Sequence, residues 1–97
     1  MTVTKTLEGT TLTAAVEGRL DTTTAPELEA SLSDLNDVEN LILDFEKLEY
    51  VSSAGLRVLL ALQKAMKVKG SMVIRNVNDT IMEVFDITGF ADILTIE

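Results

Sequence analysis

Cysteine and histidine are both absent from this 97-residue chain, and each absence closes off chemistry. Without cysteine there is no disulfide and no thiolate nucleophile; without histidine the usual zinc ligand and the usual general base near neutral pH are missing. No glycine-rich phosphate loop is present either, so no cofactor and no metal are expected, and any nucleotide would belong to a partner. Together these gaps point away from an enzyme. Aromatic residues amount to 4% with no tryptophan, which leaves a core to be built from Leu, Ile, Val and Ala. No apolar run approaches the ~18 residues of a membrane-spanning helix, and no basic, apolar, small-residue leader opens the chain. The expectation is a cytoplasmic protein with no membrane partner.

What is present suits one small domain over residues 1–97, with a hydrophobic share of 46% that is enough for a single core and too short a chain for two. The net charge is −8, and it is unevenly spread. From Tyr50 to Asn78 there is no acidic residue, whereas Arg57, Lys64, Lys67, Lys69 and Arg75 all fall there. An acidic whole argues against nucleic acid, which demands a strong basic footprint. The basic stretch is either the solvated face of a helix or a patch that meets an acidic protein partner.

Short strands and helices alternate along the chain. Thr2 to Leu7 and Thr11 to Val16 alternate with period two and read as strands, with Glu8-Gly9 as a hairpin turn and Gly18 closing the second. Thr24, Pro26 and Glu27 have the spacing of a capping box, which predicts a helix to about Leu35 and leaves Asp21 in the loop before it. Leu41-Ile42-Leu43 reads as a strand buried on both faces. Glu46 to Glu49 reads as a loop. A helix is then predicted from about Ser53 to Val68, stopped by Gly70, followed by a strand over Ser71 to Ile74. Asn78 or Asp79 caps a further helix ended by Gly89, and Ile93 to Ile96 gives a last strand. Strands joined through helices imply right-handed crossovers, hence an α/β fold: a mixed, largely parallel sheet entered by an N-terminal hairpin and packed with helices.

The helix from Ser53 carries the most information. At 3.6 residues per turn, Val58, Leu59, Ala61, Leu62, Ala65 and Met66 share the side expected to pack on the sheet. Ser53, Leu56, Arg57, Leu60, Gln63, Lys64 and Lys67 share the other. Gly55 lies on the sheet side, where the lack of a side chain lets the helix start close to the backbone beneath. Leu56 and Leu60 beside basic residues form a candidate docking stripe; alternatively, one of them packs against a neighbouring helix of the same chain. The Ser52-Ser53-Ala54-Gly55 turn puts hydroxyls where first-turn N–H groups lack partners, a favourable seat for an anion such as a phosphate.

These segments resemble the STAS domain (sulfate transporter and anti-sigma factor antagonist), specifically the small free-standing bacterial anti-sigma factor antagonists. The resemblance covers nearly the whole chain. It runs through the hairpin, Gly18-Arg19-Leu20-Asp21, the Leu41-Ile42-Leu43-Asp44-Phe45 strand, Ser52-Ser53-Ala54-Gly55-Leu56 and Asp86-Ile87-Thr88-Gly89-Phe90. The family signature is Asp-Ser-Ser/Thr-Gly-Leu with the first serine phosphorylated, which aligns with Ser53. Ser52 stands where the family has Asp, making it a rival acceptor, and Ala54 replaces the second hydroxyl. The resemblance implies partner switching. The unmodified protein binds an anti-sigma factor of the GHKL serine kinase type and frees a sigma factor; phosphorylation of Ser53 ends the complex, and a PP2C-type phosphatase restores it. Asp21, Ser52, Ser53, Ala54, Gly55, Leu56, Arg57, Leu60 and Lys64 are then the expected partner surface, with Asp21 read either as a contact or as a turn residue. A second reading is a STAS scaffold module never seen by a kinase. A third takes Asp44 as a receiver-type phosphoacceptor, but the adjacent acid pair needed to hold its metal is missing.

Overall fold

The computed structural model describes residues 1–97 and opens with the expected hairpin. β1 (Thr2–Glu8) and β2 (Thr11–Leu20) pair antiparallel, from Thr2 opposite Glu17 to Glu8 opposite Thr11. β2 is the hub of the sheet. β3 (Asn40–Asp44) lies parallel to its first half, β4 (Leu48–Val51) lies parallel to its last residues, and β5 (Ser71–Arg75) adds parallel to β3. The order is therefore β1-β2-β3-β5, with β4 beside the far end of β2. Three helices, α1 (Ala25–Ser31), α2 (Ser53–Lys69) and α3 (Asp79–Thr88), pack on this sheet, and a short 3₁₀ turn over Phe90–Asp92 follows.

Alternation sorts the residues of each strand. Leu12, Ala14 and Val16 of β2, Leu41 and Leu43 of β3, and Met72 and Ile74 of β5 are buried, while their opposite-facing neighbours Thr13, Ala15, Ile42 and Val73 are half-buried. The helices thus cover one face of the sheet. Ile42 corrects the expectation of a strand buried on both sides. Every fully buried side chain is hydrophobic, and the one buried side-chain polar atom without a hydrogen-bond partner is Oε1 of half-buried Gln63 on α2, so the core has little desolvated polar surface to offset. Phe45 and Phe85, the two bulkiest residues with no exposed surface, fill it where β3 ends and α3 crosses.

Several local expectations fail for identifiable reasons. β2 does not close at Gly18 but continues to Leu20 through an irregularity in register between Gly18 and Arg19. Gly18 adopts φ 97° there, a conformation that side chains of L-residues resist. The stretch read as a loop over Glu46 to Glu49 contains the start of β4, whose Leu48 and Val51 are buried and whose Glu49 and Tyr50 are exposed. That pattern lacks a period of two. α1 stops at Ser31 rather than near Leu35 because side chains compete for its backbone: Ser33 Oγ donates to the Ala30 carbonyl, and the Asn36 N–H donates to Asp34 Oδ1. The predicted final strand shrinks to one bridge between Ile96 and Ile74. Phe90–Asp92 spends the preceding residues on a 3₁₀ turn.

Candidate functional site

The tip of α2 is assembled by the ends of two strands. Leu20 closes β2 opposite Val51 of β4, and its carbonyl accepts from the Ser52 N–H at 2.9 Å. Asp21 follows Leu20 and Ser53 follows the tethered Ser52, so the turn leaving β2 and the first residue of α2 are neighbours. Gly55 permits this approach. A methyl group built on it would lie 2.7 Å from Leu20 Cγ, 3.0 Å from the Leu20 carbonyl oxygen and 3.0 Å from Val51 Cγ2, so only glycine lets the helix start here.

The two serines have different tasks. Ser52 is half-buried and extended (φ −100°, ψ 176°), and its hydroxyl accepts from the Gly55 N–H at 3.4 Å. It occupies the N-cap and serves it, as an aspartate would. Ser53 is the first residue of α2 and is exposed, and no hydrogen bond ties its hydroxyl to the chain.

Asp21 is tightly organised. Its Oδ1 accepts from the Thr23 N–H at 3.0 Å and the Thr24 N–H at 3.1 Å, and the Thr24 hydroxyl reaches the same oxygen at 3.3 Å. Thr24 does not cap α1 as its spacing suggests. Its hydroxyl donates to the Arg19 carbonyl at 2.6 Å and accepts from the Asp21 N–H at 2.8 Å, so it braces the turn, and the Asp21 carboxylate closes that turn on the Thr23 and Thr24 N–H groups ahead of the helix. The hydrogen bond from the Thr24 backbone is the chief cause holding the Asp21 carboxyl below its ordinary value; partial burial opposes it, and Thr23, the Thr24 hydroxyl and the Arg19 charge add to it. Arg19 sits 3.8 Å from Asp21 Oδ2 and stacks over Tyr50 at 4.3 Å from the ring centroid. Neither Arg19 nor Tyr50 stands out in the sequence as a site residue. They meet because the strands β2 and β4 place them opposite each other, and β4 leaves no periodic signal.

Along α2, the buried positions are Gly55, Leu56, Val58, Leu59, Leu62 and Met66. Leu56 and Gly55 are therefore removed from the expected docking surface: Leu56 is 5% exposed and belongs to the core, the alternative its position left open. Ala61 and Ala65, expected against the sheet, are exposed instead. The buried stripe is centred on Leu59, Leu62 and Met66, which turns both alanines outward. What faces solvent is Ser53, Arg57, Ala61, Lys64, Lys67 and Val68, with Leu60 half-buried beside them and Ala54 half-buried at the tip. Thr22, Ala25, Pro26 and Glu29 line a groove with Ala54, Arg57 and Val58 between α1 and α2.

Asp44 is engaged elsewhere. Its Oδ1 accepts from the Glu46 N–H at 3.0 Å and from Asn76 Nδ2 at 3.0 Å, the satisfied strand-end role rather than that of a phosphoacceptor. No three acidic side chains converge as a metal site, and no helix is long and apolar enough to cross a membrane.

Comparison with known proteins matches this architecture. The family model of the STAS domain covers residues 2–97. A Bordetella bronchiseptica protein, BtrV, named as a candidate anti-sigma factor antagonist, is 36% identical over 88 residues, 88% of this chain and 76% of its own length. The anti-sigma-B factor antagonist of Listeria monocytogenes is 31% identical over 85 residues, 84% of this chain and 75% of its own. Among solved structures, an anti-sigma factor antagonist from Mycobacterium paratuberculosis superimposes with a TM-score of 0.88 at 20% identity, covering 98% of this chain and 83% of that one.

Proposed function

The chain belongs to the STAS domain family, and on that premise we propose that it is an anti-sigma factor antagonist switched by phosphorylation of Ser53. It acts by binding in the cytoplasm, not by catalysis. In its unmodified form it docks on an anti-sigma factor of the GHKL serine kinase type, which frees a sigma factor. Transfer of the ATP γ-phosphoryl group to the Ser53 hydroxyl ends the complex, and a PP2C-type phosphatase hydrolyses the ester and resets the cycle. No nucleic acid and no membrane takes part.

The observation that carries this reading is the division of labour at the tip of α2: Ser52 caps the helix while the Ser53 hydroxyl is exposed and uncommitted. Ser53 is accordingly the acceptor in preference to Ser52. A phosphate there adds about −1.5 to −2 charges without displacing anything. Its effect falls on the interface. The docking surface is the exposed side of α2, with Arg57 and Lys64 meeting an acidic partner and Leu60 supplying apolar contact, flanked by Ala54 and Asp21. A desolvated double charge in that contact opposes binding, and a hundredfold loss needs only about 2.7 kcal/mol.

Incubation with the GHKL-type kinase and ATP is expected to raise the intact mass by one phosphate, mapped to Ser53. Unchanged mass would discard the switch. Ser53→Ala should hold the partner through repeated exposure to ATP, and Ser53→Asp should release it; equal capture of both would refute the electrostatic account.

A further inference from the structure

We propose that Arg57 is the internal counter-ion of the modified serine, so that phosphorylation withdraws a cation from the docking surface as well as adding an anion. This deepens the reading of Ser53 as the acceptor and rests on it. Residues four apart on a helix stand over one another, about 5–6 Å between Cβ atoms, and Ser53 and Arg57 are both exposed members of α2. Arg57 is uncommitted: the ion pairs of the protein join Arg19 to Asp21, Lys47 to Glu17 and Arg75 to Glu97, and none involves it. The planar guanidinium can offer two parallel N–H donors to phosphate oxygens.

The surroundings favour this pairing over others. Asp21, in the turn that leaves β2, already accepts from Thr23 and Thr24 and faces Arg19. Arg19 is held by Asp21 and by the Tyr50 ring. Glu29 of α1 lines the same groove as Arg57 but makes no ion pair with it, and Glu49 lies beside Tyr50 on β4, before the turn. Ser52, next to the acceptor, is neutral. Lys64, the next cation along α2, is eleven residues from Ser53, about 16 Å at 1.5 Å per residue. That exceeds a Debye length of about 8 Å at physiological salt. Arg57 is therefore the one α2 cation close enough to act directly on the phosphate.

The consequence is an exchange of partners by one side chain. In the unmodified protein Arg57 projects from the basic side of α2, available to an acidic surface. After modification it closes onto the phosphate, and the docking side loses its cation nearest the tip.

The test uses the full chain with phosphoserine installed at position 53 during translation, so that no kinase is needed. The second pKa of the phosphate is followed by ³¹P NMR. An i,i+4 pair of ordinary strength lowers it by about 0.15–0.4 unit, so Arg57→Gln should raise it by that amount, Arg57→Lys should raise it less, and Lys64→Gln should leave it unchanged. The Arg57→Gln difference should shrink in 1 M salt, where the Debye length is about 3 Å. Equal pKa values in the parent and Arg57→Gln, or an equal shift from Lys64→Gln, overturn the pairing. Neither outcome touches the identity of the acceptor, which the kinase mass assay decides separately.

Discussion

Replacing Gly55 by alanine tests how the fold and the switch share one contact. Two effects oppose each other. Alanine is a better helix former than glycine by about 1 kcal/mol in a helix interior, which alone would stabilise α2. Against it, the added methyl would lie 2.7 Å from Leu20 Cγ and 3.0 Å from the Leu20 carbonyl oxygen. Leu20 has no exposed surface to retreat into, and its carbonyl holds the Ser52 N–H. Relief therefore requires the tip of α2 to lift. Overpacking of this kind costs about 1–3 kcal/mol, and the strained Ser52 hydrogen bond about another 0.5–1.5 kcal/mol. Near the first turn the propensity gain is smaller than in the interior, so the net expectation is a loss of about 1–3 kcal/mol. For a domain of this size each kcal/mol moves the melting temperature by about 4–8 °C. Calorimetry should show a fall of several degrees, and phosphorylation at Ser53 should slow because the acceptor is displaced from the turn that presents it. A melting temperature equal to or above the parent would refute the steric argument, since it would mean that the helix starts no closer to β2 than any alanine-tipped helix.

The remaining predictions separate core from surface. Leu56→Ala should cost about 2–5 kcal/mol in urea denaturation, with the same slope as the parent; a change under about 1 kcal/mol would return Leu56 to the docking surface. Leu60→Glu should weaken capture of the anti-sigma factor at least tenfold, consistent with losing part of the roughly 1.5–3 kcal/mol of a buried leucine, while lowering the melting temperature by several degrees less than Leu56→Ala does. Asp21 is depressed below its ordinary value of 3.8 in the folded protein, so its ionised form contributes stability that is present above that value and is lost as pH falls through the lower folded value. Asp21→Asn, which keeps an acceptor oxygen, should therefore be less stable than the parent at pH 7 by a gap that closes as pH falls through the lowered folded value of Asp21; a gap independent of pH would assign the role of Asp21 to geometry instead of charge.

The parts of the fold that were readable in the amino-acid order are those governed by local chemistry. The start of α2 at Ser53, its stop at Gly70, the cap of α3, read as Asn78 or Asp79 and found at Asn78, whose side chain accepts from the Ile81 N–H at 2.9 Å, and the need for glycine at position 55 each follow from one or two residues. What escaped was set by neighbours distant in sequence. β4 is four residues long and is defined by the bulged end of β2, not by its own alternation. Leu56 sits near the edge of the apolar stripe, where a wheel drawn from spacing alone assigns it to either side; packing decides. Thr24 had the correct spacing for a cap, but its hydroxyl oxygen accepts from the Asp21 N–H and its proton goes to the Arg19 carbonyl. Of the candidate site, the exposed Ser53 and the basic side of α2 were legible in the sequence, with Ser53 as the proposed acceptor resting on the family resemblance, whereas the Arg19 and Tyr50 stack depended on strand pairing that only the structure reveals.

The last residues of the chain have a use beyond their single bridge. The Ile74 N–H donates to the Thr95 carbonyl and the Glu97 N–H returns to the Ile74 carbonyl, so the short outer rim of β5 is occupied at Ile74. β1 is left as the one long rim with unpaired backbone groups, and its Lys5 and alternating threonines make that rim polar. A sheet with one long open side can zip to at most one other of its kind, so growth by strand addition would halt at a pair and never extend into a fibre.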